Sequence, residues 1–239
     1  MNTTEKDPLR FSQQSEAVCL TYAQAIGRYQ QGEHTVSIDE MTGIQALERA
    51  APTKPARPGL VQRREFEYIR HGTQTLIANF EVGSGQVICP SLGDSRTEAD
   101  FVAHIAQTVV TDPDANWTFV LDQLNIHQSE GLVIWVAQHG QLTDALGQKG
   151  KTGILATMAS RAAFLADPTH RIRFVYTPKH SSWLNQIELW FSILMRRLLK
   201  RASFVSIADL NQRILDFIAF FNRTAKPFKW TYTGRPLCA

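Results

Sequence analysis

The spacing of hydrophobic residues divides this chain into helical and extended segments. Apolar residues recur every three to four positions in several segments, which is the period of a helix. The predicted helices cover 11–31, 95–109, 128–139, 154–166, 183–201 and 206–223. Alternating or continuous apolar runs predict strands at 35–40, 64–71, 74–82, 86–89, 117–121 and 171–177.

Turn-forming residues predict how the early strands connect. The segment 51–59, APTKPARPG, contains three prolines and is predicted to be an extended connector. Gly72-Thr73 separates 64–71 from 74–82, which predicts a β-hairpin at that point. Together with the strand that follows, these segments predict a three-stranded antiparallel meander.

The middle of the chain carries a helix-start signal and a buried strand. Ser95 followed by Glu98 has the pattern of a capping box, in which two side chains satisfy backbone N–H groups at a helix N-terminus. The run WTFVL at 117–121 is apolar at every position, as expected of a strand that is covered on both faces.

The order of the elements predicts the fold class. A meander followed by alternating helices and strands indicates an α/β protein with a mixed five-stranded sheet flanked by helices, the order found in the ribonuclease-H-like fold. We predict an N-terminal helical segment at 1–32 and a main domain at 33–203 with an insertion at about 140–168. A C-terminal helix and tail at 204–239 are predicted to pack on the same domain.

Composition excludes several classes of protein. A hydrophobic content of 44% excludes wholesale disorder. The longest apolar run, Leu132 to Ala137, is far shorter than the roughly 18 residues that cross a bilayer, so no membrane partner is expected. Cys19, Cys89 and Cys238 are scattered and fit neither a disulfide framework nor a zinc site. The N-terminus lacks the pattern of a secretion signal, and we predict a cytoplasmic protein.

The net charge of +3 conceals a strong asymmetry. Residues 1–169 carry 13 Lys and Arg against 19 Asp and Glu, a net charge of −6, whereas residues 170–239 carry 12 against 3, a net charge of +9. A basic block of this density favours a polyanionic partner such as nucleic acid, the alternative being a solvated basic helix surface.

Three acids lie where the predicted elements would converge. Asp39 and Asp122 end predicted strands, and Glu188 lies near the start of the helix after the last strand. Three converging carboxylates repel each other unless they share divalent cations, and carboxylate oxygens favour Mg²⁺ or Mn²⁺. Two such ions would activate a water or a 3′-hydroxyl for in-line phosphoryl transfer.

Each of these acids also has a simpler interpretation. Asp39 and Asp122 are compatible with polar strand ends, and Glu40 is an alternative to Asp39 as the functional acid. Asn185 precedes Glu188 by three residues, so this pair also matches an N-cap and its capping partner.

Four longer blocks resemble the signature blocks of DDE-type insertion-sequence transposases related to mariner elements. The resemblance runs from about residue 7 to 237, and WLNQIE is its most specific part. The blocks are IDEMTGIQALER (38–49), LDQLNIH (121–127), YTPKHSSWLNQIELWFSILMRR (176–197) and FNRTAKPFKWTYTG (221–234).

The resemblance implies a ribonuclease-H-like catalytic domain at 33–203 that cuts and joins DNA with two Mg²⁺ ions, for which Mn²⁺ would substitute. By position in the blocks, the catalytic and metal-binding acids would be Asp39, Asp122 and Glu188. The partners would be transposon-end and target DNA, with a homo-oligomer assembled on them and no nucleotide cofactor.

Polar residues near the acids are candidates for supporting roles. Asn125, His127 and Asn185 are predicted to orient a scissile phosphate, a metal-bound water or a ligand, although ordinary turn and cap chemistry is an equal alternative for the first two. Six basic residues are predicted to contact DNA phosphates, namely Lys179, His180, Arg196, Arg197, Lys200 and Arg201.

The chain departs from the family pattern in three ways. Gln123 stands where many relatives have asparagine, and Glu188 follows Asp122 by 66 residues, a longer gap that matches the predicted insertion. Only 38 residues precede Asp39, too few for a pair of end-reading helix-turn-helix modules. We therefore expect a catalytic portion of a larger protein.

Three alternative functions remain open from the sequence. The segment ALGQKGKT at 145–152 matches a relaxed phosphate-loop pattern, which would indicate an NTPase if a strand preceded it and a helix followed it. A catalytically incomplete DNA-binding remnant of a transposase is the second alternative. The third is a stand-alone nuclease of the same fold that acts on an RNA–DNA hybrid.

Overall fold

The chain forms a five-stranded mixed sheet. The computed structural model describes residues 7–233. The strand order is β3-β2-β1-β4-β5; β2 is antiparallel to both β3 and β1, and β4 and β5 run parallel to β1. The strands are β1 His34–Arg49, β2 Tyr68–Glu81, β3 Gln86–Gly93, β4 Trp117–Leu121 and β5 Ile172–Tyr176.

Helices cover both faces of this sheet, each over its own apolar cluster. Buried residues of α1, α5 and α6 form the core on one face, and those of α2, α3 and α4 form the core on the other. The prediction of an α/β fold with a mixed five-stranded sheet and flanking helices is confirmed. The helices are α1 Pro8–Gln30, α2 Glu98–Val109, α3 Glu130–His139, α4 Met158–Leu165, α5 Ile187–Leu194 and α6 Ile207–Asn222.

The interior strand β4 shows why the sheet is covered on both faces. All five of its residues are buried. Val120 belongs to the core under α1, α5 and α6, whereas Phe119 and Leu121 belong to the opposite core. The run is apolar at every position because successive side chains of a strand point to opposite faces of the sheet, and here both faces are covered by helices.

The predicted hairpin at Gly72-Thr73 is wrong. Residues 68–81 form the single strand β2, which pairs along its whole length with an unexpectedly long β1. Gly72 has a φ of +124° and lies at a bulge where β2 has one residue more than β1. Gly43, with a φ of +66°, lies at a second bulge where the extra residue is on β1. The glycines mark irregularities within the strands and not a chain reversal.

Two helix starts also differ from their predictions. Thr97 and Asp100 form the capping box of α2, so the predicted Ser95–Glu98 pair is wrong. The carboxylate of Glu98 instead accepts a hydrogen bond from Gly131 N. The predicted helix 183–201 is interrupted, because Asn185 has an extended backbone between a 3₁₀ turn and α5.

The predicted insertion contains α4 but not a phosphate loop. Residues 145–152 follow no strand and lead into a short 3₁₀ turn, Ile154–Ala156, before α4 begins. A phosphate loop joins a strand directly to a helix N-terminus, so the geometry contradicts the NTPase interpretation.

The terminal helices pack on the same sheet as the rest of the chain. Val18 and Tyr22 of α1 and Ile214 of α6 lie in one core cluster with residues of β2 and α5. The parts of the predicted terminal segments at 1–6 and 234–239 lie outside the described residues, and the boundaries at 32 and 203 stay predictions. None of the helices in the described range is both long and apolar enough to span a membrane.

His104 provides a test of this packing through pH. Burial lowers the pKa of His104 to about 3, so its ring stays neutral in the folded state at pH 5. The unfolded chain would take up a proton below about pH 6.5, and unfolding should therefore become easier as the pH falls. We expect the free energy of unfolding to lose about 2 kcal/mol between pH 6.5 and 5 from this group.

Urea denaturation at pH 7 and pH 5 measures this loss. In His104→Asn, whose amide can still bond to Ser91, the extra loss should disappear. His139→Gln, which removes an exposed histidine, should behave like the wild-type protein. An identical loss of stability in wild type and His104→Asn would contradict the prediction.

Candidate active site

Two of the predicted acids lie side by side on neighbouring parallel strands. Ser37 of β1 pairs with Val120 of β4. Asp39 and Asp122 are each two residues further along, so they lie at the same level and beyond the last paired residues. Asp122 follows the end of β4, as predicted, but Asp39 lies within β1, which continues to Arg49. The pairing between β1 and β4 ends shortly before Asp39, whereas β1 itself continues.

Asn185 connects α5, the helix that carries Glu188, to strand β1. Its buried amide donates to Ile38 O at 2.9 Å and to Asp39 Oδ2 at 3.2 Å, and its oxygen contacts the Ser37 hydroxyl. Ser37 Oγ also accepts a hydrogen bond from the backbone N–H of Ile187 at 2.9 Å. The first turn of α5, which includes Glu188, is thereby held against the segment of β1 that carries Asp39.

This arrangement excludes the capping interpretation of Glu188. The residue at the N-cap of α5 is Gln186, and it makes no side-chain cap. Asn185 directs its side chain toward β1 and not toward the helix N-terminus. Glu188 is therefore not a member of a capping box.

Neighbouring carboxylates affect the protonation of two of the three acids. Burial raises the pKa of Asp39 to about 7, and the charges of Glu40, Asp122 and Glu188 contribute to this increase. Burial and the charge of Asp122 also raise the pKa of Glu188. The charges of Asp122 and Glu188 therefore act on Asp39, and the charge of Asp122 acts on Glu188.

Glu40, the alternative to Asp39, faces the opposite side of β1. Its side chain is fully buried, and its Oε1 lies 3.0 Å from Nε2 of His127. Arg96 lies 3.8 Å from its other carboxylate oxygen. The other ring nitrogen of His127 is 2.7 Å from Asp122 Oδ1. Glu40 therefore supports the histidine that holds Asp122.

The His127 ring is charged in this environment. Burial alone would lower the pKa of His127, but its hydrogen bonds to Asp122 and Glu40 outweigh burial and raise it to about 9. In Asp122, burial opposes ionisation, while the hydrogen bond from His127 and the charge of Arg96 bring the pKa below its ordinary value. The imidazolium bridges two carboxylates and keeps Asp122 ionised.

Sequence reasoning missed Ser37, Arg96 and the supporting role of Glu40. Ser37 and Asp39 are two residues apart in a strand and so share a face, which was a usable signal. No sequence pattern indicated Arg96, because it contacts Glu40 from the loop before α2.

A cleft of about 480 Å³ lies next to the loop after β4 and is lined by Gln123, the residue that follows Asp122. Arg10 and Lys179 supply its two cations, and Gln14, Gln123, Asn125 and Gln128 supply amides. Residues 158, 159, 162 and 163 of α4 line it as well. Gln123, the departure from the family pattern, donates to Thr177 O at 2.8 Å and thereby secures the loop after β4. The predicted insertion thus contributes to a cleft beside the loop that follows Asp122.

The predicted DNA-contacting residues are exposed. Lys179 and His180 lie in the turn before α5, and Arg196 and Arg197 lie on a π-helical turn, Met195–Leu199, that continues α5. Lys200 and Arg201 follow it. Across residues 7–233, none of the six is ion-paired with a carboxylate. Their charges are available to an external anion.

The acids fit a divalent cation by their chemistry. They offer carboxylate oxygens, the ligands that Mg²⁺ and Mn²⁺ prefer, and a cation between them would offset the repulsion that raises the pKa of Asp39 and Glu188. Within the described range 7–233, no three His, Cys, Asp or Glu side chains have the spacing of a metal centre.

The fold, with Asp39 and Asp122 side by side on its neighbouring parallel strands, defines a ribonuclease-H-like nuclease domain. A family model described as DDE superfamily endonuclease matches residues 34–211, roughly three quarters of the chain. The chain belongs to the DDE superfamily of endonucleases, as the motif resemblance predicted. No curated protein matches it.

Solved structures of Mos1 transposase share the fold. The Mos1 paired-end complex with the left transposon end matches with a TM-score of 0.53 at 12% identity, over 90% of this chain and 56% of that one. The Mos1 mariner paired end complex with Mn gives 0.51 at 13% identity with the same coverage. The Mos1 catalytic domain with raltegravir and Mg gives 0.50 at 10% identity, over 90% of this chain and 85% of that one. The chain thus spans 56% of the Mos1 chains in the two complexes.

Proposed function

We propose that this chain is the catalytic part of a transposase that cleaves and joins DNA strands. Water would attack a phosphodiester in line and release a 3′-hydroxyl, which would then attack a phosphodiester of the target. Membership of the DDE superfamily supports the reaction class. Shared fold with the Mos1 transposase structures supports the assignment to transposition.

One observation carries the proposal. Asp39 and Asp122 lie at the same level on parallel strands, and Asn185 ties the helix of Glu188 to the strand of Asp39. Repulsion between these carboxylates supports a site for cations, because a bound cation would offset it.

The three acids would hold two Mg²⁺ ions, with Mn²⁺ as a substitute. When bound, the ions would supply the Lewis acidity that activates the attacking oxygen and stabilises the leaving oxygen. The protein's own contribution is to orient the acids. Asn185 donates a hydrogen bond to one oxygen of Asp39. His127 contacts Asp122 with one ring nitrogen and Glu40 with the other. Asn125, exposed at the cleft, is placed to contact the substrate phosphate.

The substrate strand would approach through the cleft beside Asp122. Arg10 and Lys179 would bind backbone phosphates there, and the exposed basic residues after α5 would extend the contact along the duplex. His180 lies next to Lys179 in the same turn.

We further infer that the protein works as a homo-oligomer on DNA in the cytoplasm, associated with the nucleoid when bound. The Mos1 structures that share its fold are described as paired-end complexes. The element ends would be recognised by parts beyond the aligned portion of such longer chains.

Cation-dependent cleavage of plasmid DNA tests the proposal. The wild-type protein should nick supercoiled DNA that carries candidate element ends with Mg²⁺ or Mn²⁺, but not with EDTA. Glu188→Gln should lose this activity, whereas Asp144→Asn, a carboxylate exposed on the loop before α4, should retain it.

Three outcomes would contradict the proposal. Nicking by Glu188→Gln at the wild-type rate would remove the acids from the reaction. DNA binding without cleavage under every cation would indicate the catalytically incomplete remnant. Cleavage of an RNA–DNA hybrid in preference to duplex DNA would indicate the stand-alone nuclease.

The basic turn after α5 should set the salt dependence of DNA binding. In Arg196→Gln/Arg197→Gln, two phosphate contacts would be lost, so the slope of log affinity against log salt should become shallower by roughly two. Fluorescence anisotropy with a labelled duplex over a series of NaCl concentrations measures the slope.

Lys149→Gln/Lys151→Gln is the matched control, because it removes the same charge from the loop that precedes α4. Its slope should equal that of the wild type. A shared reduction in both double variants would show that net charge alone, and not the turn after α5, sets the affinity.

A further inference from the structure

Three arginines line a polar cavity at the end of the sheet opposite to the acids. The cavity has a volume of about 320 Å³ and lies beside the last turn of α1 and the first residues of β4 and β5. We call it the arginine pocket and define it by Arg28, Arg171, Arg173, His170, Glu33 and Thr118.

The arginine pocket is separate from the proposed catalytic site. Arg173 pairs with Thr118 across β5 and β4. Asp122 is four residues beyond Thr118 in the direction of the strand, a distance of roughly 13 Å. A single phosphate group bound at one site would therefore not contact the other.

Positive charge exceeds negative charge in the pocket. Glu33 is the one carboxylate among the described residues that line it. Its Oε2 lies 4.0 Å from Nη1 of Arg28, and its Oε1 accepts a hydrogen bond from the side-chain amide of Asn116 at 3.1 Å. Against three guanidinium groups, one carboxylate leaves an excess of two positive charges.

The guanidinium groups are held in place rather than solvated freely. Arg173 is half-buried, and its Nε donates to Thr118 Oγ1 at 3.0 Å, while its two terminal nitrogens have no hydrogen-bond acceptor among residues 7–233. Arg171 donates to the carbonyls of Pro113 at 2.6 Å and Ala115 at 2.9 Å. Burial and the nearby charge of Arg28 lower the pKa of Arg173.

His170 adds a polar atom without a protein partner. Its Nδ1 is buried and makes no hydrogen bond within the described part of the chain. Like charges and unused donors in a partly buried cavity are costly unless an anion binds among them. A planar guanidinium with two free N–H groups matches the oxygens of phosphate better than it matches water.

We propose that the arginine pocket binds a phosphate group. The group would be either free inorganic phosphate or a backbone phosphate of DNA that lies across this end of the sheet. Both sources present the same tetrahedral oxygens to Arg28 and Arg173. The proposal does not depend on the cleavage reaction, since it uses none of the three acids.

Calorimetric titration with inorganic phosphate at constant ionic strength tests the pocket. Arg28→Gln and Arg173→Gln should each weaken binding at least tenfold relative to the wild type. Arg223→Gln, which removes an exposed arginine at the end of α6, is the control and should leave binding unchanged. Glu33→Gln should tighten binding about fivefold, because it removes the repelling carboxylate.

A short labelled duplex distinguishes the two sources of phosphate. If DNA is the source, Arg28→Gln should make the salt dependence shallower by about one, and inorganic phosphate should compete with the duplex. If the source is free phosphate, the calorimetric changes should occur without any change in DNA binding. Either result supports the pocket.

Two results would overturn the proposal. One is that Arg28→Gln and Arg173→Gln bind both phosphate and the duplex with the same affinity as the Arg223→Gln control. The other is weaker phosphate binding by Glu33→Gln, since glutamine keeps an oxygen for Arg28 and Asn116 but removes the charge that repels the anion. Circular dichroism of each variant verifies that it is folded, and Arg28 on the partly exposed face of α1 is the less disruptive position.

Discussion

Asp122→Asn should lower the rate of DNA nicking about a thousandfold or more. The substitution removes the charge that would bind the cation, and a loss of about 4 kcal/mol of transition-state stabilisation corresponds to that factor. Asparagine still accepts the hydrogen bond from His127, so the fold around β4 should be preserved. Single-turnover nicking of supercoiled plasmid in Mg²⁺ measures the rate.

Asp112→Asn is the matched control for this substitution. Asp112 is also an aspartate that contacts a histidine, His34, but it lies in the turn before β4 at the far end of the sheet. Its variant should cleave DNA at nearly the wild-type rate. Equal rates in Asp122→Asn and the wild type would exclude the proposed role of the three acids.

Glu40→Ala should destabilise the protein strongly. Glu40 and His127 form an ion pair whose two side chains are completely buried. Removing this carboxylate takes away one of the two acid partners of the charged ring, the fully buried one, at a cost of about 3–5 kcal/mol. For a chain of this size the melting temperature should fall by about 10 °C. Differential scanning calorimetry measures the change.

The exposed pair of Glu48 and His71 provides the comparison. This carboxylate and imidazole are 2.8 Å apart, against 3.0 Å in the buried pair of Glu40 and His127, but they are 32% and 28% exposed. Glu48→Ala should therefore cost no more than about 1 kcal/mol. Similar melting temperatures for Glu40→Ala and Glu48→Ala would show that the buried network contributes little.

Glu40→Gln separates a positioning role from a metal-binding role. Glutamine retains the acceptor for His127 but has no charge. If Glu40 only positions His127, this variant should still cleave DNA in Mg²⁺ with an unchanged requirement for the cation. A variant as inactive as Asp122→Asn would instead restore Glu40 as the functional acid.

Hydrophobic periodicity was sufficient to predict much of the sheet and most of the helices that cover it. The run 117–121 is the fully buried strand β4, and the order of later elements follows from their spacing. The hairpin at Gly72-Thr73 was wrong because a glycine with positive φ serves a bulge as well as it serves a turn. Only the pairing partner distinguishes these two uses, and that partner, β1, is extended beyond Met41 by residues with no strong alternation.

The three acids of the site could be predicted from the sequence, but the hydrogen bonds that other residues make to them could not. Asp122 follows an apolar strand, which is a local signal, and the surrounding blocks matched a known family. The contact of Asn185 with Asp39 joins residues that are 146 apart, and the Glu40–His127 pair joins residues that are 87 apart. Local patterns carry no information about such pairs, so Asn185 matched a helix cap equally well.

The attachment of α5 to β1 also determines when the site can form. Ser37 and Asp39 are synthesised almost 150 residues before Asn185 and Glu188. Domains fold as units, and this contact can be made only after β4, β5 and the start of α5 are present. A nascent chain that has already made the strand with Asp39 therefore cannot cut DNA, and the proposed nuclease is inactive until α5 has been synthesised.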